Sequence, residues 1–469
     1  MSGLPSLPPA AIEVLSILGL LAVIVVVLSR LPRVDLEHDR AFRRRRFFNW
    51  FPVGLTYAFL YMGRYNSNAC IDLLFDKKQY FEIDSWGALT YGLAFIVNGP
   101  LTDKLGGRKT TLLAAGGTAV ANVAMGIVAW RALGPDGRVP KEAWPALVPV
   151  FSVLYALNMY FQSFGAVSIV KVNSAWFHLR ERGTFGGLFG ILISLGLYFA
   201  FDWSAAIARR GAPHWVFLVP AAILVVLLAV DWALVRDTPG DAGHRDFDLG
   251  DATGADGGER LPLGQVVLRM LRNPAILVIA GVEFCSGFLR NGILKTYRPF
   301  AVDTGRAAMD FVHGHWGMLN CVAGILGGVL AGVISDRVFH SRRGPVAGVL
   351  YGVMLVGCGV MWATLGSSAL GWVLVVMTLA IIGVHGMLSG TASMDFGGKR
   401  NVGVVVGLID GCVYLGSTTA SRALKTVLPS KPAAADAATW WTWPAIMAPA
   451  AAIGFALSLL VWNAKPKAR

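Results

Sequence analysis

The chain alternates between long apolar blocks and short charged segments. Thirteen blocks stand out, at about 10–29, 47–69, 85–102, 110–130, 146–170, 184–204, 214–235, 273–294, 310–334, 345–365, 371–392, 402–421 and 440–463. A helix of about 20 apolar residues crosses a hydrocarbon core about 30 Å thick. Inside lipid every backbone N–H and C=O must pair within its own segment, so the blocks are predicted to be helices. The first, AAIEVLSILGLLAVIVVVLS, has no basic leader and no small-residue cleavage site after it, and its apolar run exceeds that of a signal peptide. It is read as an extra helix that stays in the membrane.

The longest hydrophilic stretch, 237–272, contains DTPGDAGHRDFDLGDATGADGGER and reads as a flexible cytoplasmic linker. Four regions follow: an N-terminal helix with a basic loop (1–46), a six-helix half (47–236), the linker (237–272) and a second six-helix half (273–469). Charge orients them. With the 30–46 loop in the cytoplasm, cytoplasmic segments hold 26 Lys/Arg and the opposite loops 13. The positive-inside rule then places the N-terminus outside and the C-terminus inside. The run Arg43, Arg44, Arg45 and Arg46 reads as a topology anchor beside anionic lipid.

Composition narrows the class. Hydrophobic residues make up 55% and charged residues 15%, against roughly 25% charged in soluble domains. The 55 glycines suit close helix packing in a bundle. The net charge of +13 is spread over loops between apolar blocks, which excludes a nucleic-acid-binding face. Five scattered cysteines form no CxxC pair, so neither a zinc site nor a disulfide framework is expected. There is no Walker A, G-x-S-x-G or H-E-x-x-H motif. No cofactor, metal or enzymatic activity is expected.

The halves echo each other. GPLTDKLGGRKT at 99–110 and GVISDRVFHSRRGP at 332–345 share G-x-[LI]-[ST]-D-[KR] followed by basic residues. Asp103 and Asp336 are 233 residues apart; Arg64 and Arg290, each deep in the first block of its half, are 226 apart. Near-equal offsets point to duplication. Asp103, Arg108, Asp336 and Arg337 are candidate gating residues, Asp103 at a helix end among cations.

Arg64 is the single charge in the 25 residues between Arg46 and Asp72, and Arg290 shares the 22 between Arg272 and Lys295 only with Glu283. A charge at bilayer depth costs at least a few kcal/mol and faces a cavity or a partner. The guanidinium fork gives phosphate two parallel hydrogen bonds and keeps its proton. Two such groups at symmetric positions make an oxyanion clamp.

Several stretches resemble one family. LTYAFLYMGRYNSNAC and YGLAFIVNGPLTDKLGGR are similar to the first two spans of the bacterial glycerol-3-phosphate and hexose-6-phosphate antiporters, and NMYFQSFGAVSIVKVNSAWFHLRERGTFG to the fourth span and its loop. FLRNGILKTYRPF, SDRVFHSRRG and KRNVGVVVGLIDGCVYLGS resemble the seventh span, the loop after the eighth, and the eleventh. The likeness covers most of 47–463, and it is to the organophosphate:phosphate antiporters of the major facilitator superfamily. It implies an all-α polytopic membrane protein with the major facilitator fold: two pseudo-symmetric six-helix halves, here with one extra N-terminal transmembrane helix. It also implies that Arg64 and Arg290 bind phosphate and that Tyr57, Tyr61 and Gln162 line the pathway. At helical spacing Tyr57, Tyr61, Arg64 and Asn68 share a face. Where the glycerol-3-phosphate type carries Lys, Lys and His, this chain has Tyr65, Phe95 and Ile193.

Other membrane-embedded polar residues are candidates for charge balance or proton coupling. Glu283, seven residues before Arg290, is expected to balance it. Asp410 lies one turn before Tyr414, and His385 stands in the tenth common block. The expected function is exchange of a phosphorylated organic anion for inorganic phosphate by a monomer in the inner membrane. Two rivals remain: a proton-coupled organic-anion symporter, and a sugar-phosphate sensor that signals through a partner.

Overall fold

The computed structural model describes residues 18–26, 29, 39–178, 181–247, 272–339, 342–388 and 393–463, without the side chains of 182–187, 189, 336 and 393–406. Twelve long helices answer the blocks from 47 onward. In the first half they are α1 (Arg40–Tyr65), α2 (Lys77–Leu105), α3 (Gly107–Arg131), α4 (Trp144–Ser174), α5 (Arg182–Tyr198) and α6 (Trp215–Leu234). In the second they are α7 (Pro274–Leu294), α8 (Trp316–Arg337), α9 (Arg343–Thr364), α10 (Leu370–His385), α11 (Ser393–Val427) and α12 (Thr442–Leu460). Residues 18–26 are also helical, within the predicted extra helix.

Nine helices among the described residues are long and apolar enough to cross a membrane; α1, α2 and α11 are not among them. Each carries a polar group toward the other half: Arg64 of α1 donates to Tyr414, Asp84 of α2 accepts from Lys295, and Ser421 of α11 donates to Asp84. The halves meet along two seams, α2 against α11 and α5 against α8. On the first seam the backbones nearly touch. A Cβ at Gly92 would lie 3.0 Å from the Gly411 carbonyl oxygen, and one at Gly411 3.0 Å from that of Gly92. On the second seam, a π turn (Phe199–Trp203) after α5 points Asp202 at the start of α8, where its carboxylate accepts from Gly317 N (2.7 Å) and Met318 N (2.9 Å). These donors are among those an α-helix leaves unpaired at its N-terminus. Leu20 of the N-terminal stretch is buried against the same seam, among Ile191 of α5 and Met318, Cys321 and Ile325 of α8.

Three sequence expectations change. The loop 30–46 ends early, because Asp39 caps α1 by accepting from Phe42 N at 2.6 Å. The arginine run is therefore helical, and half of it is held by protein rather than left to lipid. Arg45 donates to the Leu234 carbonyl (2.7 Å), and Arg46 pairs with Glu181 (2.9 Å). The linker is folded at its start: Asp237 accepts from Arg108 N at 2.8 Å, and Phe247 packs edge-on against Phe42. Finally, α2 begins at Lys77, before the apolar block, under a capping box formed by Asp76 and Gln79.

Candidate functional site

The end of α1 sets the site. The helix stops at Tyr65, leaving its last carbonyls without intrahelical donors. Side chains supply them: Asn158 donates to Gly63 O (2.9 Å) and Tyr155 to Arg64 O (2.8 Å). Arg64 is thereby fixed in a fully buried position, 1% exposed. Its Nε donates to Gln162 Oε1 (2.8 Å), and its two terminal nitrogens donate to the hydroxyls of Tyr91 (3.0 Å) and Tyr414. The guanidinium also lies 4.6 Å from the ring centroids of both Tyr61 and Tyr91. Ring faces and hydroxyls stabilise a desolvated cation, but they are neutral. Among the described residues no carboxylate pairs with it.

Arg290 enters the same cavity from α7. It is half-buried, and its guanidinium sits 5.6 Å from the Tyr414 ring, on which Arg64 also bears at 5.7 Å. Tyr414, from α11, thus stands between an arginine of each half. The cavity they line with Tyr65, Lys295 and Ser417 has a volume of about 10 Å³, space for a single water.

A second polar cluster closes one end of this cavity. Lys295, just past α7, reaches both oxygens of Asp84 on α2 (2.6 and 2.8 Å), and Ser421 of α11 donates to the same carboxylate (2.6 Å). Asp84 is 1% and Lys295 5% exposed. Three further pairs join the halves at this end: Lys77 with Asp303, Lys425 with Glu82 (2.9 Å) and Lys431 with Asp72 (3.0 Å). Among the described residues every ion pair between the halves lies here, where α1 gives way to α2. These groups escaped the sequence reading because Lys77, Glu82 and Asp84 precede the third apolar block, and Lys295 follows the eighth.

The remaining candidates separate. Tyr57 and Tyr61 pack edge to face at 5.5 Å beneath Arg64, and Gln162 is its direct ligand. Asn68 leaves their face, because the chain tightens into a 3-10 turn at Asn66–Cys70; its amide donates to Lys295 O (3.0 Å) and belongs to the closed end. Glu283 takes a partner other than Arg290: its carboxylate meets His385 Nδ1 at 3.1 Å. Asp410 is half-buried on α11, within electrostatic range of Tyr57.

In the repeated loop, Gly106 adopts φ 86° and ψ 155°, a conformation open to glycine alone. Asp103 pairs with Lys171 of α4 at 2.7 Å, and Arg108 donates to the Trp232 carbonyl of α6 (2.6 Å). Both contacts stay within the first half, so Asp103 ties α2 to α4 rather than one half to the other. Arg337 is exposed at the end of α8, and the Asp336 side chain lies outside the described residues.

Two six-helix halves closing on one cationic cavity define a membrane transport fold. The family model of the Major Facilitator Superfamily matches residues 53–421, and the chain belongs to that superfamily. It is 23% identical to the glycerol-3-phosphate transporter of Bacillus subtilis over 83% of this chain and 87% of that one. The same identity relates it to the membrane sensor protein UhpC of Escherichia coli (84% and 88% covered) and to a probable hexose phosphate transport protein of Chlamydia trachomatis (92% and 94%). Among solved structures, a D-xylose-proton symporter superposes with a TM-score of 0.61 at 14% identity, over 89% of this chain and 96% of that one. That likeness supports the fold, and the bundle is a multi-pass membrane protein rather than an enzyme.

Proposed function

We propose that this protein exchanges a phosphorylated organic anion, of the sugar phosphate or glycerol phosphate class, for inorganic phosphate by alternating access. The observation that carries the reading is the cavity at Tyr414, where Arg64 and Arg290 from opposite halves meet with no carboxylate ion-paired to either among the described residues. Two permanent cations in a nearly dry site need an anion, and two guanidinium forks fit the oxygens of a phosphate monoester. The names of the relatives support the same class.

In this conformer the Tyr414 hydroxyl takes the place of a ligand oxygen on Arg64. A phosphate that displaces it binds both halves at once. The loaded carrier then has a smaller charge to bury than the empty one, which favours exchange over return without cargo. We place the ion-paired end on the outer face of the inner membrane, and the arginine run of α1 and the C-terminus inside. A reporter fused after Arg469 is expected to be active only in its cytoplasmic form; activity of a periplasmic reporter there would invert the topology.

A second reading is a sugar-phosphate sensor that does not transport, favoured by the equal similarity to a membrane sensor protein. Counterflow separates the two. Proteoliposomes loaded with phosphate are expected to take up labelled phosphate and then to exchange it for one of a panel of glycerol phosphates, sugar phosphates and phosphorylated carboxylates. Binding without flux would favour the sensor; neither binding nor flux would refute both.

A further inference from the structure

The second half buries an acid that the anion cavity does not use. Glu283 of α7 is 0% exposed. One carboxylate oxygen lies 3.1 Å from His385 Nδ1 of α10, and the other is buried with no hydrogen-bond partner. His385 is different: its side chain is 26% exposed, so the imidazole reaches from the buried carboxylate to open space. Seven residues separate Glu283 from Arg290 on α7, about 10 Å along a helix axis. The pair thus stands on the side of the arginines away from the ion-paired end.

The groups around it leave few rivals for a proton. Tyr351 of α9 is committed to the Val282 carbonyl. Cys285 of α7 and Cys412 of α11 are buried or half-buried thiols, neutral at pH 7 by their ordinary range. Further along α11, Asp410 lies toward Tyr57 of the other half, and Tyr414 lies at the two arginines. The described part of α12 carries no ionisable side chain, and the ionisable side chains described on α8, which packs against α10, are the buried thiol of Cys321 and the exposed Arg337. Arg290 is a permanent charge that acts on Glu283.

We propose that Glu283 and His385 form a proton-binding site that fills together with the anion cavity, so that a proton accompanies the bound anion. The proposal rests on the anion reading of the cavity. With the cavity empty, the unanswered charge of Arg290 opposes a proton on the pair. When a dianion answers Arg290, the same pair is left as an uncompensated negative charge in a dry site and takes up one proton. The proton comes from water at the exposed face of His385 and returns to water when the anion leaves. Linkage makes the effect reciprocal, so protonating the pair tightens anion binding.

The test is binding of inorganic phosphate to the purified full chain in detergent, at constant ionic strength, between about pH 6 and about pH 8. Phosphate's own titration is common to every variant, so comparison with the wild type isolates the protein's share. Wild type is expected to bind on the order of tenfold more tightly at the acid end than that common share explains, the size expected for one charge about 10 Å away. Glu283→Gln is expected to lose this extra dependence and to bind at the alkaline end as wild type does at the acid end. His385→Gln is expected to flatten the dependence as well, which guards against a folding defect peculiar to the first variant. If wild type fails to bind phosphate at any pH, the anion reading itself fails. If wild type binds and both variants keep its pH dependence, only the proton site is refuted. If both variants are monodisperse and bind at no pH, the pair belongs to the anion site and the proposal is overturned.

Discussion

Arg290→Lys is expected to weaken phosphate binding by roughly 30-fold to several thousand-fold, the equivalent of the 2–5 kcal/mol lost when one partner of a buried charged hydrogen bond is removed. An ammonium keeps the charge but not the planar fork that grips two phosphate oxygens. Arg64→Lys is expected to lose at least as much binding and, unlike Arg290→Lys, to lower the melting temperature. The difference lies in their surroundings. Arg64 donates to Gln162, Tyr91 and Tyr414 at once, and lysine cannot serve that geometry. The Arg290 guanidinium lies over the face of one ring, so the fold depends on it less. Binding and thermal denaturation of each purified, monodisperse variant give the answer. Wild-type affinity in both would make the arginines structural and end the organophosphate reading.

Asp84→Asn is expected to destabilise the protein by about 3–5 kcal/mol, because it leaves the Lys295 ammonium buried beside an amide. The loss should appear as a lower melting temperature and as faster alkylation of a cysteine placed at Asn68, which the closed end now shields at 4% exposure. Removing both charges together, as Asp84→Leu with Lys295→Met, is expected to restore most of the stability, since neither ion then needs a partner. The exposed Lys425–Glu82 pair, with side chains 42% and 37% accessible, contributes at most about 1 kcal/mol by comparison. A wild-type melting point for Asp84→Asn would show that the buried pair does not hold the halves together.

The bundle was legible because lipid imposes a strong rule on the chain: a spanning block must be apolar and helical, and Arg64 and Arg290 stand out against that background. The failures come where the rule relaxes. The start of α2 was missed because Lys77, Glu82 and Asp84 look like loop residues until their partners are seen, and those partners lie 211 to 343 positions away in the chain. The hydrogen-bond partner of Glu283 was missed for a related reason. Sequence proximity favoured Arg290 on the same helix, while α10 delivers His385 from 102 positions on. Tyr57, Tyr61 and Gln162 were found through family likeness, but Tyr91 was not, since a tyrosine in an apolar block has no sequence mark that separates packing from ligation. Asp103 was read as a gating residue at a helix end among cations, and the cation it meets, Lys171, sits on a helix of the same half.

The helical stretch at 18–26 has one more consequence. It rests on α5 and α8 together, and these belong to different halves. Leu20 is buried in that groove and Val23 and Ile24 are half-buried against it, whereas Leu21 is 51% exposed. Any rocking of the halves has to slide one side of the groove past the stretch or lift it away. A fluorophore at Leu21 therefore sits on a lever arm outside the anion route. It can follow turnover from the rim of the bundle without occupying the cavity whose motion it records.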